Sequence, residues 1–397
     1  MSGLSVRTAD VAIVGAGVQG ASLAFHLARR GVRVAVVERS SVGAGATGRS
    51  SGFVRMHYDL ELEARLAWAS FPYFLDWAER VGDGDPGFVR TGFLQLVGKD
   101  FADALRANVA THRRIGIASS VLGPDEAARI VPGMTVDDVA AAAWEPESGY
   151  ADPTGTAAGF LAAARRLGAS YAGGVRVTGV RVAGGRVAGL EMADGLLDAP
   201  VVVVAAGAWS AALARSAGVE IPVEPWRHDT GYFGLPAERP ADIPIVLDHA
   251  GAVYFRPEGH DLLLVGLETG NEIGGSPDRA PGEPAPGIVE AMVDRVCRRV
   301  PWMEAGDLRT VHGGQDGMTP DQRAILGPAG ADAPDGLWLD CGFSGSGFKT
   351  APAIGASLAE WILDGRPSTV DIRAFSVDRF AAGRPLVGEH PYESLWR

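Results

Sequence analysis

The hydrophobic pattern changes period several times along the chain, and those changes divide it. Val11–Val14 is an apolar run rich in β-branched side chains, which predicts a buried parallel strand. Over residues 21–30 the spacing becomes helical, with Leu23, Ala24, Leu27 and Ala28 on one face and Gly31 where a C-terminal cap would stand. Residues 32–37 return to an apolar, β-branched strand, which Glu38 closes. Together these predict one β-α-β unit over residues 10–39.

Further along, Leu62, Leu66, Trp68, Phe74 and Leu75 keep helical spacing over 60–80, and Pro72 predicts a kink or a break. Turn-forming residues crowd 81–87, strands are predicted over 88–98, and a helix over 101–116. Residues 121–155 carry Pro and Gly at turn positions. A helix over 157–168, strands over 174–180 and 186–192, and a buried strand over 201–206 follow. The stretch 221–310 has another texture: strand candidates at 231–235, 243–247, 252–256 and 262–266 precede one helix at 287–300. The last segment holds a strand at 337–340, a glycine turn and a helix at 353–363. The predicted fold class is α/β plus α+β, a Rossmann-type nucleotide-binding domain with a discontinuous antiparallel-sheet substrate domain. The expected divisions are 1–85, 146–220 and 311–380 for the first domain, 86–145 and 221–310 for the second, and 381–397 for a C-terminal tail.

Between the first strand and helix, Gly15, Gly17 and Gly20 have G-x-G-x-x-G spacing. The first allows a tight turn, the second lets backbone approach a pyrophosphate, and the third lets helix and strand pack closely. Glu38 stands where a carboxylate accepts hydrogen bonds from ribose hydroxyls, and it would repel a 2′-phosphate, which favours FAD or NAD over NADP. The small-residue segment 40–52 reads as a loop whose backbone amides can approach a ligand, and Arg49, Arg55, His57 and Tyr58 lie in it or just after it. The segment 342–349 repeats the logic, with a strand before it and a helix after it, and so predicts a second anion-binding turn.

Composition adds exclusions. At 397 residues two domains are expected, and a formal charge of -12 without clustered Lys or Arg disfavours nucleic acid. Cys297 and Cys341 are too few and too far apart for a disulfide framework or a zinc site, and they fit a reducing compartment. The first ten residues hold one Arg and one Asp, and glycines break the apolar stretch behind them, so neither a signal peptide nor a membrane span is expected. The expected location is cytoplasmic.

Six stretches together resemble the D-amino-acid oxidase class of FAD enzymes, nearest to its sarcosine oxidase and N-methyl amino acid oxidase branch. They are the N-terminal fingerprint, GATGRSSG with Arg55 behind it, GYADPTG at 149–155, AAGAWS at 205–210, MTPDQRAILGP at 318–328 and GFSGSGFK at 342–349. The resemblance implies FAD with its diphosphate over Gly15, Gly17, Val18, Gln19 and Gly20 and its ribose on Glu38. It implies further contacts from Arg39, Gly45, Thr47, Arg49, Ser50, Ser51, Val175, Ala206, Gly207 and Trp209. From the second turn it adds Gly342, Ser344, Gly345, Ser346, Gly347, Phe348 and Lys349. Arg55 and Lys349 match the two cations that clamp a substrate carboxylate.

Two departures from the family pattern carry weight. The sarcosine oxidase branch tethers its flavin through a Cys before the TPD motif, and the dimethylglycine dehydrogenase branch through a His in the first glycine-rich loop. Here those positions hold Gly314 and Arg49, so FAD is expected to be non-covalent. Where the oxidase branch places a Lys that promotes reaction with dioxygen, the stretch 266–268 is expected to put Glu268, which leaves a dehydrogenase with an electron carrier open.

The resemblance implies oxidation of a carboxylate-bearing amine, N-methyl or cyclic, at the carbon beside nitrogen. Electron transfer of this kind belongs to the cofactor, while the protein orients the substrate and sets its electrostatics. No dedicated base is required, because desolvation and nearby cations can keep the amine neutral. Tyr254 and Gln315 are expected substrate contacts, and His57, His249 and His312 stand near the motifs, each reading more readily as structural. The expected partners are an amino acid or amine and either dioxygen or an electron carrier. Deamination of a primary amine, as by a D-amino acid dehydrogenase or glycine oxidase, is the alternative within enzymes. A non-catalytic or electron-relay flavoprotein is the alternative outside them, and an NAD-dependent dehydrogenase leaves the second glycine turn without a role.

Overall fold

The computed structural model describes residues 6–278 and 284–392. Three runs rich in β-branched residues, Val201–Val204, Val11–Val14 and Val34–Glu38, lie in the middle of a six-stranded sheet ordered Ile325–Pro328, Leu337–Cys341, Val201–Val204, Val11–Val14, Val34–Glu38 and Ser170–Gly173. Its pairings are parallel except at the Ile325–Pro328 edge. Such strands are buried on both faces, and here they are. On one face lie the helices Val18–Arg29, Pro153–Arg166 and Gly347–Asp364, burying Ile13, Leu23, Leu27 and Leu358 completely. Each such side chain contributes roughly 1.5–3 kcal/mol relative to exposure. On the other face a three-stranded antiparallel sheet (Val177–Ala183, Arg186–Met192, Gly195–Asp198) closes a second apolar layer.

The second half is an eight-stranded sheet, ordered Asp307–Met318, Glu224–Gly234, Leu262–Leu267, Val253–Glu258, Ile245–Asp248, Phe93–Val97, Ala141–Glu145 and Ser120–Leu122. All of its pairs are antiparallel except Ile245–Asp248 with Phe93–Val97. Helix Ile288–Arg299 covers one face through Ile288, Met292 and Val296. A small sheet of Phe53–Val54, Gly149–Tyr150 and Val89–Arg90 stitches the halves together. Gly149 is required there, since a Cβ would lie 2.1 Å from the Val89 carbonyl oxygen.

Several expectations shift. The division at 311 falls inside the unbroken strand Asp307–Met318, whose three glycines and polar residues hide it in the sequence. Its partner Glu224–Gly234 is also longer than the expected 231–235, because the polar run from Arg227 to Thr230 conceals its first half. Helix Glu61–Leu75 runs through Pro72 and ends three residues later; the carbonyl freed by Pro72 is that of Trp68, a residue at the surface. Helix Gly347–Asp364 begins six residues before the expected 353 and contains Pro352, so Gly347, Phe348 and Lys349 belong to its first turn rather than to the glycine loop. The expected tail is docked as far as Tyr392, and residues 393–397 of it lie outside the described residues. Among the described residues no helix is long and apolar enough to cross a membrane.

Candidate active site

The first glycine turn is built by exclusion. Gly15 sits at φ +114°, and a Cβ there would lie 2.3 Å from the Ala205 carbonyl oxygen of the neighbouring strand. A Cβ on Gly20 would meet the Gly15 carbonyl oxygen at 2.2 Å, so strand and helix approach only because both are glycine. Over Gly17 the Thr47 hydroxyl accepts a hydrogen bond from the Val18 N–H at 3.1 Å, tying the loop 40–52 to the helix N-terminus. Glu38 is anchored by the Ala16 N–H at 3.0 Å and the Ser40 N–H at 2.8 Å, and the Val175 N–H donates to its backbone carbonyl. Arg39 lies 3.9 Å from the Trp209 ring centroid and pairs with Asp278 at 2.6 Å, while the indole N–H donates to the same carboxylate at 2.9 Å. Trp209 also backs Gly45 and follows Ala206 and Gly207, the end of strand Val201–Val204. These residues lie together at the carboxyl edge of the sheet, the place where such folds take dinucleotides.

The second turn meets the first. Gln19 donates through its Nε2 to the Gly347 carbonyl at 2.7 Å, and Ser22 to that of Ala351 at 2.8 Å. Gly342 and Gly345 take positive φ, as does the buried Ser344, held by the Ser344 N–H donating to Gly317 and by the Thr319 N–H donating to its hydroxyl. Asp316, which sequence reasoning missed, accepts from the N–H groups of Gly317 at 2.7 Å and Gly345 at 2.8 Å and fixes the loop beside Ser346. Arg49 folds back onto the carbonyls of Ala44 and Gly45. A Cβ on Gly314 would lie 2.8 Å from the Arg49 Cβ, so the two positions where relatives of the resembled family tether a flavin are neighbours here. Ser50 and Ser51 leave the loop by accepting from the Gly52 N–H and the Arg256 guanidinium.

Above the turns sit the two cations. Arg55, 5 % exposed, stacks 4.5 Å from the Tyr58 ring centroid and 5.5 Å from that of Phe93, and donates to the His57 carbonyl. Lys349, equally buried, lies 5.8 Å from the same Tyr58 centroid, and its hydrogen bond is a long 3.5 Å to the Gly345 carbonyl. Burial, then the Arg55 charge, drive the Lys349 ammonium well below its ordinary pKa, against the pull of Glu63 and Asp316. Among the described residues neither cation has a carboxylate at ion-pair distance, whereas Arg323 behind them is neutralised by Asp59 at 2.7 Å and by Glu63. Buried charges are ordinarily paired. Arg55 and Lys349 share the Tyr58 ring without such a partner among the described residues.

Tyr254 is fully buried and its hydroxyl is hydrogen-bonded to His228 Nε2, the rings stacked 11° apart with centroids at 5.7 Å. Burial pulls His228 down to about 4 and pushes the Tyr254 phenol up, so the pair is neutral. His228 escaped the sequence reading because its strand did; alternation with Thr230 and Tyr232 was the available signal. Gln315 pairs with Arg227 in the adjoining strand and is half-buried. His57 is turned into the interior, with its Nε2 at 2.6 Å from the Tyr392 hydroxyl. His312 packs edge-on against Tyr232 at 5.2 Å, and His249 pairs with the buried Glu268 at 3.0 Å, whose carboxyl burial pushes up.

Residues 10–361 match the FAD dependent oxidoreductase family, and the chain belongs to it. The chain is 30 % identical to human mitochondrial sarcosine dehydrogenase over 390 residues, covering 94 % of this chain and 41 % of that protein. Among solved structures it is similar to L-proline dehydrogenase from P. horikoshii (TM-score 0.87, 25 % identity, 96 % of this chain and 100 % of that one). It is also similar to glycine oxidase from Geobacillus kaustophilus (TM-score 0.82, 26 % identity, 94 % and 99 % covered). The protein is an FAD-dependent oxidoreductase, and the chain spans about two fifths of the dehydrogenase it matches.

Proposed function

We propose that this chain oxidises the C–N bond of a carboxylate-bearing amine, an N-methyl or cyclic amino acid, to an imine that water then hydrolyses. The observation that carries this reading is the buried, unpaired couple Arg55 and Lys349 beside Tyr58. A carboxylate between them would be held by charge-assisted hydrogen bonds, fixing the substrate at one end and leaving its nitrogen free. Lys349 would take up a proton as that carboxylate arrives, since its charge is otherwise suppressed. The neutral Tyr254–His228 pair and the aromatic layer of Phe53 and Phe93 exclude water from the same space. The cations and the apolar layer together disfavour an ammonium, so the amine loses its proton on binding without a dedicated base.

FAD, when bound, supplies the acceptor for the hydride equivalent lost from the carbon beside nitrogen. The residues present suit it: glycine cradles at 15 and 20, Glu38 and Thr47 at the turn, and Arg39 with Trp209 at the far end. Gly314 and Arg49 supply no tether, so FAD is held non-covalently, and denaturation releases all of it. With Glu268 locked to His249, transfer of electrons to a carrier rather than to dioxygen is the favoured second half-reaction. The likeness to a glycine oxidase keeps primary amines as a second reading.

The test is anaerobic mixing with a panel of N-methyl, cyclic and primary amino acids, followed by product analysis. An N-methyl amino acid should bleach the flavin and release formaldehyde, or a cyclic one a ring imine. Ammonia and a keto acid would establish the primary-amine reading. No bleaching by any of them would overturn both.

A further inference from the structure

Residues 381–397 are expected to form a C-terminal tail; as far as Tyr392 the segment runs along the surface and docks there, with Gly388 and Tyr392 buried. The Leu386 N–H donates to Asp321 at 2.9 Å, the Glu389 N–H to the Asp59 carbonyl at 3.0 Å, and Asn108 Nδ2 to the His390 carbonyl at 2.9 Å. It thus touches the start of helix Glu61–Leu75, whose Glu61 N–H donates to Glu389, and helix Ala102–Ile115, and it brings in Tyr392, 2 % exposed. The phenol oxygen lies 2.6 Å from His57 Nε2, and its ring stacks between His57 at 5.9 Å and His249 at 5.2 Å, tilted 27° to each. His57 is held further by the edge of His112 at 4.5 Å, while the neighbouring Met56 N–H donates to Glu145 at 2.9 Å. The His57 carbonyl in turn receives the Arg55 guanidinium.

We propose that Tyr392 is a positioning residue of the active site, which acts through His57 to hold Arg55 in the pose that receives the substrate carboxylate. The proposal rests on the reading of Arg55 as a carboxylate clamp. The geometry favours it because, among the described residues, Arg55 has no acidic side chain at ion-pair distance, so the His57 carbonyl is its anchor, and His57 is in turn held by Tyr392. His57, His112 and Glu145 each offer a ligand atom within 4.8 Å of the others, but a metal ion there would face the Arg55 guanidinium. Holding an arginine is the better use of the cluster.

The experiment compares Tyr392→Phe with Arg55→Lys in the holoenzyme, reading the dissociation constant of benzoate from its perturbation of the flavin spectrum. Each variant is also scored for the KM and kcat of the best amino acid, for the flavin content and for the rate with pyrrolidine, an amine without a carboxylate. Tyr392→Phe keeps the stack and removes the phenol oxygen that bonds His57 and Asn108. It should raise the benzoate constant and KM roughly 3- to 10-fold, the scale of one hydrogen bond, with kcat, flavin content and the pyrrolidine rate unchanged. Asn108→Ala, which unpins His390, should shift them in the same direction if Tyr392→Phe folds poorly. Unchanged benzoate affinity in Tyr392→Phe with a clear loss in Arg55→Lys would overturn the positioning role and leave the clamp standing. No change in either variant would overturn the clamp, and this proposal with it.

Discussion

The cofactor cleft and the substrate end of the site are built by opposite means. Around Gly15 and Gly20 the decisive feature is what is missing, a Cβ within 2.3 Å of a neighbouring carbonyl, and the groups that would meet the ligand are backbone amides. Around Arg55 it is what is present: long side chains from segments as distant as 55, 323, 349 and 392, buried together and oriented by one another. Backbone geometry is local and tolerates no substitution. A side-chain assembly is non-local and degrades by degrees.

That contrast orders the expected effects of mutation. Gly15→Ala should be the most severe, because both φ +114° and the Ala205 carbonyl forbid the methyl; the purified variant should carry essentially no flavin. A yellow Gly15→Ala protein would break the comparison at once. Arg323→Met, at the substrate end, should fold but lose about 3–5 kcal/mol in denaturant unfolding, since Asp59 and Glu63 remain buried without their cation. A smaller loss than about 1 kcal/mol would mean that the paired acids are not held as charges.

Among the described residues the cofactor half holds a buried carboxyl that should titrate near neutrality. Asp340, which ends just before the second turn, has no hydrogen-bond partner among the described residues, and burial raises its carboxyl to about 7 from 3.8. A folded-state pKa above the unfolded one means the protonated form favours folding. The native state therefore loses stability as pH rises from about 4 to about 7, and does not regain it above that. Asp340→Asn should remove this slope and gain at most about 4 kcal/mol at pH 8, with no gain at pH 4, as read from melting curves. A pH-independent difference between the two proteins would refute it. The smallest effect belongs to the half-exposed Arg39–Asp278 pair: Asp278→Ala should weaken FAD by only a few-fold, worth about 0.2–1 kcal/mol. A hundred-fold loss would show that the Trp209 end carries far more of the cofactor affinity.

The same contrast explains how much was legible in the sequence. The β-α-β unit, its three glycines and the two-half architecture could be read because each depends on residues close together in the chain. Arg55 and Lys349 came from resemblance, and the structure places them on one ring, Tyr58, which no spacing indicates. His228 and Asp316 were hidden because the strands carrying them are glycine-rich and polar where they line the site, so the period-two signal fades there. Tyr392 and Arg323 gave no local signal at all, since their partners lie 335 and 264 residues away.

The most direct measurement is the behaviour of Arg55→Met, scored for flavin content and for benzoate affinity in one preparation. The account predicts full flavin content, as the cleft is made by backbone elsewhere, together with a benzoate affinity lower by about 100-fold or more, the cost of removing one partner of a buried charge pair. Flavin content equal to wild type with unchanged benzoate binding would contradict the claim that Arg55 and Lys349 await a carboxylate. Loss of flavin in this variant would contradict the separation of the two halves of the site.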